Sequence, residues 1–206
     1  KPNLDISEAG TTAILKSSLG ERVVSIAEVK KLLNQKIYPY YHPDLELVFT
    51  GNQKVSPSGN SIALGGDHSE EEASWSTFIV LYRFSTRNLS YLGLGSPISW
   101  SSNNKYLLTH LNAFEDEDVE IIYDVETGRI ASSIDNNLNQ KKILGWGSAN
   151  TVEYTTEDGE NYVEIRWSLN VENGAITKVS ETPYPLSIPQ IVEAYMGDRE
   201  GFVGIG

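Results

Sequence analysis

Three stretches of this chain repeat at nearly fixed distances, and that repetition restricts the fold more than any other feature. They are Val55-Ser-Pro-Ser-Gly-Asn-Ser-Ile-Ala-Leu64, Trp100-Ser-Ser-Asn-Asn-Lys-Tyr-Leu-Leu-Thr109 and Trp146-Gly-Ser-Ala-Asn-Thr-Val-Glu-Tyr-Thr155. Each reads as the end of an apolar strand, a tight polar turn and the start of a second strand. They begin 45 and 46 residues apart. A second landmark follows each one: Phe84-Ser-Thr-Arg-Asn-Leu89, Val125-Glu-Thr-Gly-Arg-Ile130 and Val171-Glu-Asn-Gly-Ala-Ile176, with steps of 41 and 46 residues. These are strand, hairpin turn and returning strand. Both landmarks keep the same step for the last pair, a register that unrelated turns would not hold. A period of about 40–50 residues with four short strands predicts a propeller blade.

The strands a to d of the middle repeat are expected near 95–100, 106–111, 119–124 and 129–133, and those of the third near 143–146, 151–155, 162–169 and 175–179. They are rich in Val, Ile, Tyr, Phe and Trp, as half-buried strands need. A fainter fourth copy lies at Ser7-Glu-Ala-Gly-Thr-Thr-Ala-Ile-Leu15, its Gly10 standing 49 residues before Gly59, with no c–d hairpin after it. Ser25-Ile-Ala-Glu28 fits a capping box and predicts a helix over 26–35 with Ile26, Val29, Leu32 and Leu33 on one face. Ser187-Ile-Pro-Gln190 predicts a second helix over 188–196, stopped by Gly197. The expected fold is therefore mainly β with two flanking helices, built from propeller-like antiparallel four-stranded sheets in three clear repeats, an incomplete or small propeller. The organisation is 1–44 (helix and aromatic strap, with the fourth copy as a degenerate blade), 45–181 (three repeats) and 182–206 (capping helix and tail).

Ser56-Pro-Ser-Gly-Asn-Ser-Ile-Ala63 and Asp124-Val-Glu-Thr-Gly-Arg-Ile130 resemble the blades of the periplasmic Tol-system propellers and of the propeller domains attached to prolyl-oligopeptidase-type enzymes. The resemblance covers about residues 45–181 and implies the fold. It does not choose among the many functions that this fold carries. The second and third repeats lack the Pro of the turn, and the third lacks its Gly as well. Closed propellers have about four blades or more, so three blades stay open, pack on the flanks or pair with another chain, and a homodimer is one such completion.

Charge narrows the partners. The chain has 28 acidic and 16 basic residues and a net charge of -12. That excludes nucleic acid as the main partner, because phosphates would be repelled. No apolar run approaches the roughly 18 residues of a membrane span, so no membrane insertion is expected. Eleven of the 28 acids fall in the b–c connections: Asp67, Glu70, Glu71 and Glu72; Glu115, Asp116, Glu117 and Asp118; Glu157, Asp158 and Glu160. Equivalent loops of successive blades emerge on one face, so an acidic rim is expected, with Trp75 inside it as a partner-contacting residue. Two readings stand: solvated loop tips that prevent association, or a site for a basic partner or Ca²⁺. No run here matches the twelve-residue EF-hand loop. Lys141 and Lys142 interrupt the acidic pattern. The segment Ile37-Tyr-Pro-Tyr-Tyr-His-Pro-Asp44 offers Tyr38, Tyr40 and Tyr41 either as an aromatic binding platform or as a strap over the sheets.

No catalytic motif is present. Gly93-Leu-Gly-Ser96 and Gly145-Trp-Gly-Ser148 have the wrong spacing for a nucleophile elbow. His42, His68 and His110 lie in different segments. There is no Cys, hence no thiol nucleophile and no disulfide. Trp100 and Trp146 hold matching repeat positions, which favours packing between sheets. The expected function is a non-enzymatic protein- or peptide-binding scaffold using propeller loops. The alternatives are a hydrolase with acidic loop residues or an acidic inhibitor or immunity-type protein. No cofactor is expected. A start at Lys1 fits either removal of a signal peptide or cleavage of a tag, and the expected setting is extracytoplasmic, periplasmic or secreted.

Overall fold

The computed structural model describes residues 3–18, 20–35, 46–68, 77–112, 118–134, 141–158 and 163–183. Four separate antiparallel sheets follow one another along the chain. The first has three strands, β1 (Asn3–Ile6), β2 (Thr12–Ser17) and β3 (Gly20–Ser25), followed by helix α1 (Ile26–Gln35). The first blade is β4 (Leu47–Val55), β5 (Ser61–His68), β6 (Phe78–Arg83) and β7 (Asn88–Leu94). The second is β8 (Ser96–Trp100), β9 (Tyr106–Asn112), β10 (Asp118–Asp124) and β11 (Arg129–Ile134). The third is β12 (Lys142–Ser148), β13 (Thr151–Asp158), β14 (Val163–Asn170) and β15 (Ile176–Pro183). Each sheet is a simple meander, with strands paired in chain order.

The two sequence landmarks turn out to be bonded to each other. The amides of Phe84, Val125 and Val171, which open the c–d turns, donate to the carbonyls of Asn60, Lys105 and Asn150 beside the a–b turns, at 2.8, 3.0 and 2.9 Å. Both turns of each blade are thus tied at one end of the sheet. The a–b turns share a further pattern. Ser56 and Ser101 each accept through Oγ from the amide five residues on, at 3.0 and 2.9 Å. Ser7 does the same toward Thr12, at 3.1 Å. Gly59, Asn104 and Gly10 take the left-handed conformation that such a turn requires (φ 75°, 62° and 65°). The fourth copy is therefore a genuine turn of the repeat. Its sheet stops at three strands, and α1 follows where the other sheets have their fourth. The third blade lacks the left-handed residue and turns more tightly, between Ser148 and Thr151.

One helix occurs among the described residues; the expected helix over 188–196 and the strap of Tyr38, Tyr40 and Tyr41 lie outside them. Helix α1 begins with the expected box. The Ser25 amide donates to Glu28 Oε2 at 3.1 Å, and the Glu28 amide to Ser25 Oγ at 3.3 Å. Its apolar face, Ile26, Val29 and Leu33, is buried against the first blade together with Ala13, Leu15 and Val24.

Successive sheets pack face to face through apolar seams. Ala63, Ile79, Leu81, Trp100, Leu107 and Tyr123 fill the seam between the first and second blades. Tyr106, Leu108, Ile122, Val152, Tyr154 and Leu169 fill the next. Burying a side chain of this size contributes roughly 1.5–3 kcal/mol, so these seams hold the stack together. Trp100 and Trp146 act between sheets, as their equivalence predicts. Trp100 Nε1 donates to Lys54 O at 2.8 Å, and Trp146 Nε1 to Ser99 O at 3.3 Å. The stack ends differently. The outer face of the third blade carries Glu153, Glu157, Glu164 and Arg166, with an ion pair between Arg166 and Glu153.

Candidate functional site

A meander sends its a–b and c–d connections from one end and its b–c and d–a connections from the other. The a–b turns of the three blades lie side by side. The Ser58 amide donates to Asn104 Oδ1 at 2.8 Å, and Asn103 Nδ2 to Asn150 Oδ1 at 3.0 Å. This polar row fixes the blades in register, so all three b–c connections leave from the opposite end.

The described acids of the expected rim sit at that end. Asp67 lies in the last turn of strand β5, Asp118 opens β10, and Glu157 and Asp158 close β13. Asp67, Glu157 and Asp158 are half-buried. Glu70, Glu71, Glu72, Trp75, Glu115, Asp116, Glu117 and Glu160 lie outside the described residues. Among the described residues no three His, Asp or Glu side chains gather as a metal ion would require.

Beneath this end is a charge cluster that the sequence did not reveal. Glu120 faces the seam between the second and third blades and is buried. Its Oε2 is in ion-pair contact with Lys141, and its Oε1 lies 3.3 Å from His110 Nδ1. The Lys141 side chain is only 1% exposed, and its ammonium also donates to Ile134 O at 2.9 Å. The register explains the meeting, because His110, Glu120 and Ile134 are cross-strand partners in one row. Lys141 does lie at the acidic end, as its place in the chain implies, but it is consumed by Glu120 rather than offered to the rim. Glu120 thus stands between one cation and one imidazole. The cluster anchors the entry into the third blade. Losing either ion would leave a buried charge uncompensated.

The turn end is less acidic and carries two open grooves. One, of about 430 Å³, runs between the second and third blades and is lined by Lys105, Tyr106, Arg129 and Glu172 among others. There Lys105 sits 4.9 Å over the Tyr106 ring and 3.5 Å from Glu172. The Tyr106 hydroxyl, with Glu172 adding, holds the Lys105 ammonium above its ordinary pKa. The second groove lies between the three-stranded sheet and the first blade.

No family model matches this sequence, and no curated protein matches it. Solved structures do. The β-propeller domain of the Trilobed protease from Pyrococcus furiosus, described as revealing an open velcro topology, aligns with a TM-score of 0.53 at 13% identity, over 88% of this chain and 53% of that one. An acylaminoacyl peptidase from Pyrococcus horikoshii aligns with a TM-score of 0.51 at 10% identity, over 88% of this chain and 30% of that one. TolB from Acinetobacter baumannii gives a TM-score of 0.45 at 13% identity, over 87% and 41%. This chain thus spans about half or less of the length of these structures. The likeness is one of fold: the repeats are propeller-like blades.

Proposed function

We propose that this stack of blades is a non-enzymatic binding scaffold whose b–c end engages a basic protein or peptide, in an extracytoplasmic setting. The observation that carries this reading is the hydrogen-bonded row of a–b turns, Ser58 to Asn104 and Asn103 to Asn150. Turns locked in register at one end give the loops at the other a common exit. Eleven acids on those loops then act as one field, in a chain whose net charge is already -12. Such a field speeds and orients the encounter with a cationic surface, and it weakens with salt. The buried Glu120–Lys141 pair, with His110 beside it, supports the reading by securing β9 and β10, the strands from which the second of the loops springs.

The test is fluorescence anisotropy with a labelled oligolysine peptide. The expected result is saturable, salt-sensitive binding. Converting Glu70, Glu71, Glu72, Asp116, Glu117 and Asp118 to their amides should weaken it about tenfold or more. Converting Glu21, Glu126 and Glu172 at the turn end should leave it nearly intact. Equal losses from both sets would reduce the effect to net charge and sink the proposal.

A further inference from the structure

The groove between the β2–β3 hairpin and the first blade has a volume of about 450 Å³ and is lined by Gly20, Glu21, Arg22, Tyr82, Phe84 and Arg87. That size is within the range of small-molecule sites. Three features of its lining point to one ligand group.

The first is the backbone of Arg87. In the c–d turns of the second and third blades the matching position is glycine, Gly128 and Gly174, at φ 68° and 71°. The first blade places Arg87 there at φ 53°. The left-handed region is costly for a residue with a Cβ, and the sister turns avoid the cost. Strain of this kind concentrates at binding sites. Second, the Arg87 guanidinium has neither an ion pair nor a hydrogen bond among the described residues. Arg22, by contrast, is held by Glu28. Third, the Tyr82 ring is buried while its hydroxyl reaches the groove, where it has no hydrogen-bond partner among the described residues. It is therefore an open donor on the groove wall. Its ring meets Phe84 edge to face, with centroids 5.0 Å apart at 86°, giving the groove an aromatic wall.

A carboxylate answers both polar groups. It accepts a two-pronged pair of hydrogen bonds from a planar guanidinium, and it can accept from a phenol O–H. A phosphate dianion would face Glu21 and a chain of net charge -12 with its second charge unmatched. The Phe84 edge suits an apolar body next to the carboxylate. We propose that this groove binds the carboxylate of a ligand bearing an aromatic or branched apolar group, either a free organic acid or the C-terminal residue of a peptide. Arg87 is the anchor and the Tyr82 hydroxyl the second donor. The site lies at the opposite end of the stack from the acidic loops and stands independently of their role.

Calorimetric titration of the whole chain tests this with three probes: N-acetyl-phenylalanine, its amide, and a pentapeptide ending in phenylalanine with a free carboxylate. The acid should bind saturably and the amide at least about tenfold more weakly, as expected when a charge-assisted pair is lost. Arg87→Gln and Tyr82→Phe should each weaken the acid by about tenfold, with an unfolding midpoint unchanged to within about 2 °C, since neither side chain's polar group is bonded among the described residues. Tighter binding of the pentapeptide than of the acid identifies a peptide terminus as the source; equal binding identifies a small acid. The proposal is overturned if the amide binds as well as the acid, if Arg87→Gln binds like the unaltered chain, or if neither acid nor pentapeptide binds at about 10 mM, where even a very weak site would register.

Discussion

Tyr82 and Tyr123 stand 41 residues apart at the same place in successive repeats, near the end of strand c, and each packs toward the preceding sheet. Their hydroxyls meet opposite fates. Tyr123 receives a hydrogen bond from the Leu94 amide at 3.0 Å and donates to the Leu94 carbonyl at 3.1 Å. Tyr82 meets no such backbone and lines a groove instead. The cause is the sheet in front. Before Tyr123 stands a complete blade, whose fourth strand β7 presents Gly93 and Leu94. Before Tyr82 stands the three-stranded sheet, where α1 replaces the fourth strand. The two seams are both apolar, but only the one beside the three-stranded sheet leaves its tyrosine hydroxyl facing a groove.

Gly93→Ala should damage the Tyr123 seam most. A Cβ there would lie 2.3 Å from the Tyr123 hydroxyl oxygen and 2.4 Å from its Cζ. Ring and strand are both held by their neighbours, so the clash must be relieved by moving the seam. A loss of about 3 kcal/mol is expected, read as a lower urea midpoint at unchanged slope. If the variant is as stable as the original, the seam is looser than the packing of Tyr123 requires. Gly20, on the other seam, has nothing within 4 Å of such a Cβ, and an alanine there would be strained only through its φ of 127°.

Tyr123→Phe comes next. It leaves the Leu94 amide and carbonyl without their partner, a cost of about 2 kcal/mol for buried groups. The hydroxyl also has an alkaline signature. Burial pushes the Tyr123 pKa from 10.0 up to about 12, against the pull of its bond to the Leu94 backbone. Below pH 10 the phenol is neutral whether the chain is folded or not. Between pH 10 and 12 the unfolded chain releases the proton while the folded chain keeps it, so stability falls as pH rises, by roughly 1.4 kcal/mol per pH unit. Denaturant titrations across that window should show this fall in the unaltered chain and a shallower one in the Phe variant. Identical slopes would mean that the hydroxyl is not sequestered.

The contrast between the seams also marks how far the sequence could be read. Strands β8 to β11 lie within a residue of their expected limits, because the repeat fixes both ends of each hairpin. The Ser25–Glu28 box and the Gly10 turn were likewise legible, since their signals are local. The groove beside the three-stranded sheet was not. Arg87 hides a left-handed turn that a glycine would have announced, and only the superposed c–d turns expose it. The Glu120–Lys141 pair joins residues from two strands and a connection, and depends on how tightly one blade rests on the next. Of the expected rim acids, Asp67, Asp118, Glu157 and Asp158 lie among the described residues, at the strand ends where blade topology puts them.

Arg87→Gly should have the smallest effect, and its sign is the informative part. Glycine adopts φ near 53° without the Cβ clash, and Gly128 and Gly174 do so in the sister turns. The removed side chain makes no bond among the described residues that the change would break. Removing the strain should outweigh the added freedom of the unfolded chain, so the variant should gain about 0.5–1 kcal/mol, seen as a rise of roughly 2–4 °C in Tm. A turn that holds arginine where glycine is more stable keeps it for something other than folding. A gain in stability coupled with loss of carboxylate binding would tie the strain to the ligand. A loss of stability would show instead that Arg87 supports the hairpin, and would return the groove to a purely structural role.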